Sequence, residues 1–257
     1  MPKLAANLST LFVERDFPER FAAARAAGFR YVEYQFPYAF AADELAAAAR
    51  EAGVEVVLHN LPAGDFARGE RGIACLPGRE REFRDGVERA IDYATRVGCA
   101  RLNCIAGLAP VDRAHFDALV ANVRFAARRL DEVGIGLVIE PLNTRSVPGC
   151  FLSHSAQAID VLNAAGEANA RLQYDLFHMQ IMEGDLACTL ERLPGRIGHV
   201  QIADVPDRHE PGTGEINFDF LLAHLDRIGY AGWVGCEYNP RGETLEGLTW
   251  AKPYLSP

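Results

Sequence analysis

The sequence predicts an α/β fold, a single (β/α)8 barrel, on three observations. Short apolar runs alternate with amphipathic, helix-like runs from end to end. The chain has 257 residues, close to the roughly 250 of a closed eight-unit barrel. No G-x-G-x-x-G turn follows the first strand-like run, which counts against a dinucleotide-binding open sheet. Strict alternation implies a parallel sheet with right-handed crossovers.

The units follow in order. KLAANL (3–8) is the first strand, and FPERFAAARAAG (17–28) is an amphipathic helix with Gly28 past its end, a usual stop signal. YVEYQF (31–36) is the second strand, ended by Pro37, and ADELAAAAREAG (42–53) is an Ala-rich helix closed by Gly53. VEVVLHNL (54–61) is strand three. The segment 62–78 has no clear period and follows a strand. That places it at the face where barrel chemistry sits, where long loops act as lids or clamps. A charged helix spans 79–98, strand four 99–107 and a long helix 112–134. Strand five is IGLVIEPL (135–142), and a helix over 153–166 starts with a serine cap. Strand six is RLQYDLF (171–177), followed by a short helix at 184–195. Strand seven is RIGHVQIAD (196–204), with a helix at 217–230. WVGCEY (233–238) is strand eight, and GETLEGLTWAKPYL (242–255) is a weak final helix. No linker or low-complexity segment interrupts the series, so one domain over 1–257 is expected.

Nearly half the residues are apolar, enough for a large core. No apolar run approaches the roughly 20 residues of a membrane span. The N-terminal stretch lacks a basic region followed by an apolar segment, so a cytoplasmic setting is expected. The formal charge of −9 opposes any sequence-independent grip on nucleic acid. A small anionic substrate stays compatible, because a local cation outweighs a distant field. The six cysteines form no C-x-x-C pair, which argues against zinc fingers and redox motifs and for buried free thiols. Period-2 alternation turns Cys236 away from the barrel axis.

Four polar side chains end four successive strands: Glu140, Asp175, Gln201 and Glu237, at steps of 35, 26 and 36 residues. Each step is about one strand, one helix and two loops. Polar ends on apolar strands are costly if buried unpaired, and the repeat places them together at the carboxyl edge of the barrel. Three carboxylates and an amide oxygen make a hard, oxygen-rich metal nest. Pro141 holds Glu140 extended. His178 lies three residues after Asp175, one helical face away if the chain turns helical there. His199 and Gln201 share a strand face, and Gln201 reads either as a ligand or as a hydrogen-bonding group. Arg208, in a loop with Glu210, is suited to a carboxylate or polarised oxygen. Two carboxylates flanking a metal-held hydroxycarbonyl can move a proton between adjacent carbons. No Ser-His-Asp order appears, so the logic is that of an aldose–ketose isomerase or epimerase.

The segments GLVIEPLN, YDLFHMQ, HVQIAD and GCEYNP, with ARGERGIACLPGREREF and PGTGEINFDFLL, resemble the hydroxypyruvate isomerase family. That family belongs to the xylose isomerase-like TIM barrels, with endonuclease IV and the ketose 3-epimerases. The resemblance implies interconversion of hydroxypyruvate and 2-hydroxy-3-oxopropanoate (tartronate semialdehyde) through an enediolate. It implies Glu140 and Glu237 as the proton-transfer pair. It also implies a divalent ion, Mg or Mn, held by Glu140, Asp175, Gln201 and Glu237. His178 and Arg208 match substrate-binding positions, and Arg71 is a further candidate for the substrate carboxylate. Related epimerases usually carry His where this chain has Gln201; the amide is a neutral, weaker ligand. A homo-oligomer is the family habit. Isomerisation of a four-carbon acid such as 2-oxo-tetronate is the alternative. DNA repair would need more histidine ligands and basic loops than this chain offers.

Overall fold

The computed structural model describes residues 1–255. Eight parallel strands close in chain order: β1 (Lys3–Asn7), β2 (Tyr31–Glu33), β3 (Glu55–Asn60), β4 (Arg101–Cys104), β5 (Gly136–Ile139), β6 (Ala170–Asp175), β7 (Ile197–Ile202) and β8 (Trp233–Cys236). The β1–β8 pairing, Leu4 beside Val234 and Ala6 beside Cys236, completes the ring. The intervening helices are α1 (Glu19–Ala26), α2 (Ala42–Ala52), α3 (Glu80–Val97), α4 (Arg113–Asp131), α5 (Ser155–Ala165), α6 (Leu176–Met182), α7 (Leu186–Arg192), α8 (Phe218–Arg227) and α9 (Thr244–Gly247). The predicted barrel and its order hold.

Several boundaries differ from the sequence reading, for local reasons. β2 keeps three residues, because its register with β3 slips between Val32 and Glu33. The Gln35 N–H then bonds the Ser9 hydroxyl instead of a ladder carbonyl. An extra helix, α6, starts at once after β6, because Asp175 caps it by accepting from the Phe177 N–H. The predicted serine cap of α5 is replaced by His154; the Gln157 side chain accepts from the Ser153 and His154 N–H groups. The final helix shrinks to α9 and a 3₁₀ turn at Leu248–Ala251.

Most of the core lies between strands and helices, where Leu45, Val87, Leu119, Val161 and Leu222 are buried against the barrel. Each such side chain stabilises the fold by about 1.5–3 kcal/mol. Cys236 joins this layer, facing away from the axis as its alternation requires. Five of the six cysteines are buried; Cys188 on α7 is exposed, an exception to the buried-thiol expectation. The inner side differs: a small apolar cluster of Ala5, Val57, Leu58 and Val138 accompanies a polar set that includes Asn7, Glu33, Asn103, Gln173, His199 and Gln201, all buried. Among the described residues no helix is long and apolar enough to cross a membrane.

Candidate active site

The polar strand ends meet because parallel register stacks them at one edge. Asp175 pairs beside Gln201, and Gln201 beside Gly235, two residues before Glu237. Glu140 follows the last residue of β5. A cavity of about 210 Å³ at this edge is lined by Glu140, Gln201 and Glu237, together with His178, Arg208 and Arg71. All four predicted ligand side chains are buried.

Each carboxylate has a partner within the protein. One oxygen of Glu140 accepts from the Asn103 side-chain amide at 2.9 Å. Asp175 uses Oδ1 as the α6 cap at 2.8 Å, while its Oδ2 has no hydrogen-bond partner among the described residues. Glu237 accepts from the Gln35 amide at 2.5 Å. The Arg208 guanidinium bridges Asp175 Oδ2 at 3.5 Å and Glu237 Oε2 at 3.1 Å. One cation thus pairs with two of the three acids. Burial raises Glu140 well above the usual carboxylate range, and the charges of Glu237 and Asp175 add to it. Burial likewise raises Asp175, opposed by Arg208 and by the Phe177 and His178 N–H groups. Glu237 is pushed up to about 7 by burial, with Arg208 pulling the other way. A group near neutrality is suited to exchange protons at working pH.

His178 lies on α6 as the helical spacing predicted, with Nε2 at 3.6 Å from Asp175 Oδ2. Ligand atoms of Glu140, Asp175 and His178 fall within 4.8 Å of one another. The histidine is nonetheless a poor ligand. Its Nδ1 accepts from the Asn143 backbone N–H at 3.0 Å, so the neutral ring carries its proton on Nε2, facing the cluster. Burial holds its pKa well below the ordinary value, keeping that neutral form. His178 is a donor toward whatever occupies the cavity. The hard oxygens at this edge, on Asp175, the two glutamates and the Gln201 amide, are the donor types a divalent ion takes, with Glu140 and Asp175 in the close group and Glu237 outside it.

Arg208 owes its position to a loop organised by Asp204. Asp204 Oδ1 accepts from the Val205 and Ile216 N–H groups, and Oδ2 from those of Gly212 and Gly214. Arg208 itself sits at φ +60, a costly conformation for a side-chain-bearing residue. Glu210 turns away from the cavity and accepts from the Arg241 N–H at 3.0 Å. The 62–78 loop is docked: Gly72 (φ +100) lies where a Cβ would be 2.3 Å from the Ile105 carbonyl. It brings Phe66 and Arg71 to the cavity wall, with the Arg71 guanidinium stacked 3.6 Å from the Phe66 ring centroid.

Two functional neighbours escaped the sequence reading. Asp204 lies two residues past β7, in the same HVQIAD run as Gln201, and the glycines that follow it were its signal. Glu33 is fully buried on β2, an acid inside YVEYQF that belongs to the same strand-end pattern as the other four.

The pattern of the xylose isomerase-like TIM barrel family matches residues 21–254, and the chain belongs to that family. Its resemblance to the hydroxypyruvate isomerase branch also holds at the level of whole chains. The chain is 48% identical to hydroxypyruvate isomerase of Escherichia coli, covering 99% of this chain and 100% of that protein. It is likewise 48% identical to 2-oxo-tetronate isomerase of Cupriavidus necator, with 99% of each covered. A structure described as AP endonuclease, family 2, from Brucella melitensis superposes with a TM-score of 0.98 at 47% identity over the whole of both chains.

Proposed function

We propose that this chain is an isomerase that interconverts hydroxypyruvate and 2-hydroxy-3-oxopropanoate by moving a proton between adjacent carbons. The observation that carries this reading is a pair of buried glutamates, Glu140 and Glu237, on one cavity and both raised above the usual carboxylate range. One glutamate takes the carbon-bound proton to give an enediolate, and the other returns a proton to the neighbouring carbon. A Mg or Mn ion held by Glu140, Asp175, Gln201 and Glu237 supplies electrophilic stabilisation of the developing negative charge. His178 donates from Nε2 to a substrate oxygen. Arg208 steadies Asp175 and Glu237 and offers its remaining N–H groups to the substrate. Burial keeps bulk water from competing for these bonds.

The four-carbon reading, isomerisation of 2-oxo-tetronate, is supported by the equal identity to the Cupriavidus enzyme. A cavity of about 210 Å³ admits either acid. Proton NMR of hydroxypyruvate and of 2-oxo-tetronate, each with the purified protein, tests both. Conversion of either, lost on adding EDTA and restored by Mg or Mn, is the expected result. No conversion of either acid with metal present would rule the proposal out.

A further inference from the structure

We propose that Glu33 is a positioning residue that fixes the side-chain amide of Gln201 with its oxygen available to the cation site. This rests on the proposed ligand role of Gln201. Glu33 sits at the end of β2, with no exposed surface. Its Oε1 accepts from Gln201 Nε2 at 2.8 Å and from Asn7 Nδ2 at 3.0 Å. Its Oε2 lies 2.6 Å from His199 Nε2. Three groups from β1 and β7 thus converge on one carboxylate, the pairing that a buried acid requires.

The place for that carboxylate is built into β8. A Cβ at Gly235 would lie 2.3 Å from Oε1 and 2.4 Å from Oε2 of Glu33. Gly235 is the register neighbour of Gln201, so the missing side chain opens space beside the amide. His199 closes the other side. Its Nδ1 has no partner among the described residues, so Glu33 is the ring's one polar contact.

The consequence for Gln201 follows from hydrogen-bond chemistry. A carboxylate accepts and cannot donate, so it meets only the NH2 end of an amide. The amide is planar, so Oε1 is turned away from Glu33. It faces Gln173 Nε2 at 2.6 Å, and both glutamines line the cavity. A hard cation binds the amide oxygen, not the nitrogen. Without Glu33 only Gln173, an amide that can itself turn over to present its oxygen, would hold this orientation of Gln201, and only one of the two orientations presents a ligand atom.

The test is Mn²⁺ titration of the full chain by calorimetry, with the parent, Glu33→Gln, Gln201→Leu and the double variant. Glu33→Gln keeps the shape but lets an NH2 group face Gln201. It is expected to weaken Mn²⁺ binding by about 10- to 100-fold, the usual effect of losing a group that orients a ligand. Gln201→Leu should weaken it to a similar degree, and the double variant no further than Gln201→Leu alone. If Glu33→Gln does not fold, Gly235→Ala displaces the same carboxylate and carries the same expectation. Parental affinity in Glu33→Gln, or additive losses in the double variant, would overturn the positioning role while leaving the ligand set intact. A parent that binds no Mn²⁺ would overturn both.

Discussion

Neutralising Glu237 is expected to make the metal-free protein more stable while removing its activity. The site holds three buried carboxylates, two of them paired with the guanidinium of Arg208. Glu237 titrates near 7 in the fold, against about 4.3 in an unfolded chain. The native state therefore takes the proton more readily than the unfolded chain. The stability tied to Glu237 is complete below the unfolded value and is lost as pH rises through about 7. At about 1.4 kcal/mol per unit, the ionised group costs the metal-free fold about 4 kcal/mol at pH 8. Glu237→Gln removes that cost and keeps an oxygen to accept from Gln35. For a chain of this size each kcal/mol moves Tm by about 2–4 °C, so the variant should melt about 8–16 °C above the parent. The assay is differential scanning calorimetry in EDTA at pH 8 and at pH 4.5, where the two proteins should converge. A variant that melts below the parent at pH 8 would refute the reasoning.

Glu140→Gln and Glu237→Gln should each cut the exchange of carbon-bound hydrogen of hydroxypyruvate in D2O by at least about 10²- to 10⁴-fold; exchange at the parent rate would remove that residue from proton transfer. Arg208→Met strips the one cation from Asp175 and Glu237 and should lower metal-free stability by about 3 kcal/mol, read from the urea midpoint; an unchanged midpoint would show that the bridge carries no stability. Mn²⁺ at about 100 times its Kd should stabilise the parent by about 2.7 kcal/mol. Tm measured with and without Mn²⁺ should differ more at pH 8 than at pH 5.5, because the ligand carboxylates must first lose protons; a larger gap at pH 5.5 would contradict the ligand assignment.

The barrel was legible because period and order are local properties: eight apolar runs, each followed by an amphipathic one. The convergence of Glu140, Asp175, Gln201 and Glu237 on one edge follows from strand ends alone. The position of His178 was legible through its three-residue offset from Asp175. Its tautomer was not, because that depends on the Asn143 N–H, 35 residues away. Arg208 was legible as a cation in the right loop, but its bridge between two acids depends on the Asp204 hydrogen bonds that fold the loop. Glu33 was missed because an acid inside a strand reads as a solvent-facing residue. Only closure of the barrel, which turns the inner face of β2 toward β7 and β8, shows that Gly235 clears a place for it and that His199 and Gln201 fill its oxygens. Helix ends were the least legible feature, since α6 is capped by Asp175, a residue of the site, and α5 by His154 in place of the serine.

The most direct measurement is the anomalous scattering of crystals soaked in Mn²⁺. The account predicts one strong peak at the carboxyl edge of the barrel, within about 2.5 Å of oxygens from Glu140, Asp175, Gln201 and Glu237. A peak elsewhere, or one at this edge that leaves out Gln201 and either glutamate, would contradict it.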